Sequence, residues 1–338
     1  MRPQNQSKNE FRKDYLLDEW VIIAANRAKR PQDFKEIEQR REEDKKSYDA
    51  DCPFCLGNEA MTPPETYRIG EKKWTLRVVP NKFPAVVPDA KIAEEKKDIF
   101  EKISPFGFHE IVVETNNHGQ DFYDESAEQI TDLFRAFKAR TEEMKKSKGV
   151  KYVLCIKNYG RECGASLSHT HAQIITFPFV PHRIQQEIEA AKKYYNKKNK
   201  CIYCEIIKKE LQSERKIFEK KHFAVIAPYA SKWPFETLIV SKNHYSSLQE
   251  LDEEELKELG ETVKELFKKY SDVINRPPFN FILHQNLGKT SHYHFHIEVY
   301  PNVHKIWGGV EKGASIVLNE VPPEMAAGYL SERIKDGI

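Results

Sequence analysis

The chain has 338 residues, 39% of them hydrophobic and 31% charged, the profile of a soluble globular protein of about two domains. A formal net charge of only +2 argues against a dedicated nucleic-acid surface, which needs a strong basic excess. No apolar run approaches the roughly 20 residues of a membrane span, and the opening MRPQNQSKNEFRKDY lacks a signal-peptide core, so a cytoplasmic protein is expected.

In chain order, the first distinctive feature is Cys52-Pro-Phe-Cys55. In a cytosolic protein such a pair is a metal clamp or a redox dithiol more often than a disulfide. Residues 108–113 (FHEIVV) read as a strand running into a polar turn at Asn117-His118. An amphipathic helix is predicted from about Ser126 to Lys146, then a strand over Tyr152–Ile156. A Gly164-Ala165-Ser166 loop leads to His169-Thr170-His171-Ala172-Gln173, read as the end of a strand. In extended chain His169, His171 and Gln173 share one face. A neutral imidazole there can attack phosphorus and form a covalent phospho-histidine type intermediate. The bland alternative is a pair of half-buried strand histidines with ordinary hydrogen-bond partners.

After Arg183–Lys200, a lysine-rich helix or linker, the events repeat. Cys201-Ile-Tyr-Cys204 is followed by a strand at 235–240 (FETLIV), then Asn243-His244, a helix over about Asp252–Tyr270, a strand at Phe279–Leu283, and His294-Phe295-His296. His118 and His169 are 51 positions apart, and His244 and His294 are 50 apart. A tandem duplication explains this, with a boundary that divides the chain into 1–182 and 183–338. Each half mixes antiparallel strands with helices, so the expected class is α+β.

Zinc takes four thiolate or imidazole ligands in a tetrahedron. The repeat register selects Cys52, Cys55, His118 and His169 for one site and Cys201, Cys204, His244 and His294 for another. In the second, His292 and His296 compete with His294. Four protein ligands leave no open position, so both sites read as structural, and His171 is left free for chemistry. Unmetallated cysteines with turn histidines remain the alternative.

These residues resemble the galactose-1-phosphate uridylyltransferase family of the histidine-triad superfamily, including its ADP-sugar relatives. The similarity covers nearly the whole chain: Trp20–Ile23 with Arg27-Ala28-Lys29-Arg30-Pro31, Cys52–Cys55 with Gly57-Asn58, Val79–Pro84, Asn158, and Gly164-Ala165-Ser166 before His169–Gln173. The resemblance implies a duplicated α+β fold, a homodimer, and an active site near the subunit interface. It implies that His171 is the nucleophile on the α-phosphorus of a nucleoside diphosphate sugar, and that a sugar 1-phosphate leaves and another accepts the nucleotide. Ser166, Gln173 and backbone N–H groups of the Gly164 loop are placed to meet the developing phosphoryl charge. Arg27 and Arg30 are expected at substrate phosphates, Asn81 and Phe83 at the base, Asn158 and Gly164 around the phosphates, and Lys305 and Glu311 near the sugar phosphate and sugar.

The chain departs from the galactose branch at Val317, where that branch carries a glutamine, and at Asn81-Lys82, where it carries Asn-Asp. Uridylyl transfer from UDP-glucose to galactose 1-phosphate is the leading expectation, and ADP-glucose phosphorolysis the alternative. A hydrolase, and a zinc-stabilised nucleotide-binding protein without turnover, are the competing classes. In the second half His296 stands where His171 does, but Glu298 replaces Gln173 and the Gly-Ala-Ser loop is missing, so that half is expected to be structural and substrate-lining.

Overall fold

The structure, a computed structural model, describes residues 10–17, 19–23, 46–303 and 308–334. In chain order the strands are β1 Glu10–Lys13, β2 Trp20–Ile23, β3 Tyr67–Ile69, β4 Leu76–Pro80, β5 Glu94–Lys97, β6 Phe100–Ile103, β7 His109–Val113, β8 Tyr152–Tyr159, β9 His171–Phe177, β10 Lys216–Glu219, β11 Phe223–Ile226, β12 Thr237–Ser241, β13 Phe279–His284, β14 His296–Pro301 and β15 Val317–Asn319. The helices are α1 Ala127–Met144, α2 His182–Lys198, α3 Ile202–Glu210, α4 Glu253–Ile274, α5 Gly309–Ala314 and α6 Pro323–Leu330. The class is α+β, as expected.

Ten strands form one antiparallel sheet in the order β10-β11-β12-β14-β13-β8-β9-β7-β4-β3. Its centre is the β8–β13 pairing, where Tyr159 faces Phe279 and Cys155 faces Leu283. Outward from that seam the first half runs β8, β9, β7, β4, β3 and the second β13, β14, β12, β11, β10. The two halves thus mirror each other in strand order and share one sheet.

Strand alternation assigns the two faces. Ala172 and Ile174 of β9, Val153 and Cys155 of β8, Phe281 and Leu283 of β13, and Ile297 and Val299 of β14 all join one core with α1 and α4. Both helices begin in capping boxes, Ser126 with Gln129 and Asp252 with Glu255, which satisfy otherwise orphaned N–H groups. They cross closely at Gly260, where a Cβ would come within 2.2 Å of Thr131 Oγ1. Phe134, Phe137, Leu266 and Phe267 are fully buried between helices and sheet, each contributing roughly 1.5–3 kcal/mol. The same alternation sends His171, Gln173, Asn158, His284, His296 and Glu298 to the opposite face, which α1 and α4 leave uncovered.

One element differs from expectation. β9 begins at His171, so the histidine motif opens a strand rather than ending one. Val113, the last residue of β7, pairs with His171, and the ladder has no partner for His169. His169 is therefore released from strand alternation and turns toward the cysteines. The lysine-rich stretch after residue 182 is helix α2, not a linker.

Candidate active site and metal centres

Cys52, Cys55, His118 and His169 are all buried, and their ligand atoms lie within 4.8 Å of one another. His118 Nδ1 stands 3.4 Å from Cys55 Sγ, and His169 Nδ1 stands 3.6 Å from Cys52 Sγ. His169 Nε2 donates to the Thr115 carbonyl at 2.8 Å, which leaves Nδ1 as a bare lone pair aimed at the thiols. Burial pushes the Cys52 thiol up to about 12.

Cys201, Cys204, His244 and His294 repeat the arrangement. His244 and His294 place Nδ1 at 3.5 and 3.6 Å from Cys204 Sγ. Their Nε2 atoms donate at 2.9 Å to the carbonyls of Thr290 and Ser241. Hydrogen bonds from Cys204, His244 and His294 pull Cys201 down, and the same thiol contact pushes Cys204 up. His292 stays out of the group, its carbonyl accepting from Cys201 Sγ. Both clusters set imidazole lone pairs against sulfur; the far nitrogens of His169, His244 and His294 are tied to carbonyls and that of His118 stands 3.3 Å from Ser168 Oγ, the outer shell that metal-bound histidines use. Each donor set fits a tetrahedral Cys2His2 metal.

Beside the first cluster, His171 is 4% exposed and its Nδ1–H donates to the His169 carbonyl at 2.9 Å. Nε2 is thereby the unprotonated nitrogen. Burial lowers the ring's pKa, with Lys157 adding to the effect, so the imidazole is neutral. No acidic third member is needed.

Beneath the motif lies a layer that sequence reasoning missed. Lys157 Nζ donates to Glu114 at 2.7 Å, to Thr170 Oγ1 at 2.7 Å and to the His171 carbonyl at 3.3 Å. Both charged side chains are essentially inaccessible. Burial and the neighbouring Glu114 push Glu125 well up. Only a Lys-Glu pair of high sequence separation signals this layer, and the sequence does not reveal it.

The remaining expected site residues divide. Gln173 lies on the His171 face, its Oε1 3.0 Å from His109 Nε2. Asn81 adjoins His109, and Phe83 is 84% exposed, which rules out core packing for that ring. Asn158 bonds Asn280 and stands beside Gly164, which needs its positive φ of 88°. Ser166 is exposed beyond that loop. The loop's N–H groups at Gly164 and Ala165 donate internally to Arg161 and Gly160, so they are not the expected phosphoryl donors. Tight closure of the Gly160–Gly164 turn consumes them. Glu311 sits on α5 beside β15, its carboxylate accepting from Gly308 and Leu318, rather than beside His171. Arg27, Arg30 and Lys305 lie outside the described residues.

In the second half His296 Nδ1 also bonds its neighbour's carbonyl, that of His294, at 2.9 Å. There the likeness stops. His296 is stacked between Tyr203 at 4.9 Å and His284 at 4.7 Å. His284 bridges Glu187 and Glu298 at 3.1 Å each, and Arg183 binds Glu298 at 2.8 Å. A cavity of about 60 Å³ remains, with Tyr15, Tyr203, Lys232 and Glu236 among its walls. The structural expectation for this half fits that packing.

A single sheet made of two mirrored α+β halves, with a buried histidine held by a neighbouring carbonyl, defines a duplicated α+β protein with a poised imidazole. Comparison with known proteins narrows this. The N-terminal domain model of galactose-1-phosphate uridyl transferase matches residues 1–181, and the C-terminal domain model matches residues 187–326. The chain belongs to that family and is a nucleotidyltransferase. It is 34% identical to galactose-1-phosphate uridylyltransferase of Thermotoga maritima, over 96% of this chain and 98% of the relative. It is 32% identical to ADP-glucose phosphorylase of Arabidopsis thaliana, over 97% of this chain and 94% of the relative. The crystal structure of the Arabidopsis enzyme with bound ADP-glucose superposes with a TM-score of 0.81, at 30% identity, covering 96% of this chain and 99% of that one. A solved uridylyltransferase superposes at 0.75, with 28% identity, covering 96% and 98%. Among the described residues no helix is long and apolar enough to cross a membrane.

Proposed function

We propose that this enzyme moves a nucleotidyl group from UDP-glucose to galactose 1-phosphate through a covalent uridylyl-His171. Nε2 of His171 attacks the α-phosphorus, the bond from that phosphorus to the bridging oxygen breaks, and glucose 1-phosphate leaves with the electron pair. A phosphate oxygen of galactose 1-phosphate then attacks the same phosphorus, and the N–P bond breaks to give UDP-galactose and free His171. The observation that carries this reading is the 2.9 Å bond from His171 Nδ1 to the His169 carbonyl, which fixes the tautomer of the neutral ring and leaves Nε2 as its nucleophilic nitrogen. Gln173 and Ser166 serve the phosphoryl oxygens, while Asn158 and the Gly164 turn line the phosphate site. Asn81 and Phe83 flank the base. Arg27, Arg30, Lys305 and Glu311 contact the phosphates and sugar, Glu311 from its place beside β15.

Zinc fits both Cys2His2 sets, and each ion would clamp its half of the sheet without touching substrate. The division into 1–182 and 183–338, a homodimeric assembly and a cytoplasmic location complete the proposal. A second reading is favoured by Val317, by Asn81-Lys82 and by the higher superposition on the ADP-glucose phosphorylase. In it His171 takes an adenylyl group from ADP-glucose, and inorganic phosphate accepts it to give ADP. The test is isotope exchange without an acceptor. Labelled glucose 1-phosphate should enter UDP-glucose in the first reading and ADP-glucose in the second. Release of free nucleotide monophosphate instead would make the enzyme a hydrolase.

A further inference from the structure

We propose that His109 and Asn280 are positioning residues that turn the amides of Gln173 and Asn158 so that both NH2 groups face the transferring phosphoryl group. The proposal rests on the nucleotidyl-His171 reading and explains how its site is made selective for an anion.

The sheet register brings the pairs together. On β7 and β9, Ile111 faces Gln173 and His109 faces Ile175, so His109 is the diagonal neighbour of Gln173 on the same face. On β8 and β13, Asn158 faces Asn280 directly. Neither partner carries a motif of its own.

In each case a backbone group of fixed polarity decides which end of the amide is which. The Ala85 N–H donates to His109 Nδ1 at 3.1 Å. A nitrogen that accepts carries no proton, so in the neutral ring Nε2 bears it and donates to Gln173 at 3.0 Å. The bonded end of Gln173 must then be its oxygen. Asn81 does not compete for that proton. Its Nδ2 lies 3.1 Å from Nε2 and 3.5 Å from Nδ1, out of line with either lone pair, and its own oxygen accepts from the Phe83 N–H. Asn280 Nδ2 donates to the Cys163 carbonyl at 2.9 Å, an acceptor that cannot reverse. Its second hydrogen goes to Asn158 Oδ1 at 2.8 Å. The bonded end of Asn158 is again the oxygen, and its nitrogen is turned to the Gly164 turn, 3.6 Å from where a side chain at Gly164 would begin.

Gln173 and Asn158 are therefore left with unspent NH2 donors on the face that carries His171. A freely rotating amide would present its carbonyl to the phosphoryl oxygens part of the time and repel them. Donors fixed before the charge develops need no reorganisation as it does.

The experiment is single-turnover labelling of His171 in the full-length protein by whichever nucleotide sugar labels the wild type. The variants are His109→Phe, His109→Gln and Asn280→Asp, with nucleotide-sugar Kd measured in a His171→Asn background. His109→Phe removes the donor, and Asn280→Asp puts an acceptor where two donors stand. Each should slow labelling by roughly 10- to 100-fold, below the cost of deleting an oxyanion donor outright, with Kd shifted less than about threefold. His109→Gln, which keeps one N–H, should recover most of the rate lost in His109→Phe. Unchanged labelling in His109→Phe and Asn280→Asp, or a Kd change that accounts for the whole loss, would overturn the proposal. If the wild type takes no label from UDP-glucose or ADP-glucose, the nucleotidyl-histidine reading fails instead. A separate measurement then still decides the geometry. Long-range 1H–15N NMR of histidine-labelled protein should find His109 as the Nε2–H tautomer, and the Nδ1–H tautomer would refute the positioning role.

Discussion

His171 and His296 head matching strands, each buried and each with Nδ1 tied to the carbonyl two residues back, yet their surroundings differ. Around His171 stand the Phe54 ring at 5.6 Å and, on the same face, the amides of Gln173 and Asn158. Around His296 the neighbours are two aromatic rings, two glutamates, an arginine and a second histidine. The duplication thus preserved a backbone device and changed what surrounds it. A poised imidazole alone does not make a transfer site. Unspent donors are also required, and Glu298, standing where the first half has Gln173, is an acceptor bound to Arg183 and His284.

The largest effect that sharpens this contrast is kinetic. His171→Asn should lower steady-state nucleotide transfer by more than about 10³-fold. His296→Asn should leave the rate per folded molecule within about threefold, even as its unfolding temperature falls. Comparable losses in both would erase the distinction between the halves.

Metal content is the next test, because here the halves are expected to behave alike. Cys55→Ser and Cys201→Ser should each remove one zinc equivalent per chain by elemental analysis, and each should lower the unfolding temperature by several degrees. Loss of both equivalents from either variant would mean the two centres are not independent.

Each half also buries an ion pair, in different service. Lys157→Met strands Glu114 beneath the His171 motif, at a cost of roughly 3–5 kcal/mol in urea unfolding, while His284→Gln leaves Glu187 and Glu298 with Arg183 alone and should cost less. Only the first should also slow transfer in the folded protein. The second should be strongly pH-dependent. Burial alone would lower His284, but Glu298 and Glu187 outweigh it and raise it to about 10, while the charge of His284 holds Glu187 down at about 2. A raised histidine stabilises fully below its unfolded value of about 6.5 and loses that contribution as pH rises through about 10. The stability gap between wild type and His284→Gln should therefore shrink between pH 6.5 and 10, and a gap that widened would reverse the assignment. At low pH the sign is opposite for Glu187, whose contribution fades as pH falls toward 2.

The smallest effects come from the helices on the shared core. Ser126→Ala and Asp252→Ala should each cost about 1 kcal/mol, since each removes the cap of one capping box. A much larger loss in one would show that the two halves do not share the core evenly.

The sequence made the local features legible. The two Cys-x-x-Cys pairs, the Asn-His turns, the two capped helices and the His-x-His segments each depend on a few neighbouring residues, and their order twice over exposed the duplication. Gly164 and Asn158 were recognisable through the motif they accompany. What stayed hidden depends on cross-strand register. His109 reaches Gln173 from 64 residues away and Asn280 reaches Asn158 from 122. Lys157, Glu114 and the His284 cluster are the same kind of contact, long-range and without a spacing rule. The histidine motif itself was misread as a strand end, because alternation says nothing about where a ladder runs out of partners. Two donors expected from the Gly164 loop, the N–H groups of Gly164 and Ala165, are spent inside the turn for a related reason. A tight turn spends its own N–H groups, and composition does not show that.

The most direct test of the central claim is the location of the covalent nucleotide. Full-length protein would be incubated with UDP-glucose and separately with ADP-glucose, quenched, and read by intact mass and then by peptide mapping under conditions that preserve phosphoramidates. The account predicts one nucleotidyl group per chain, on the peptide carrying His171, absent from His171→Asn and retained in His296→Asn. A label on the His296 peptide, or no label from either sugar nucleotide while substrate is consumed, would contradict it.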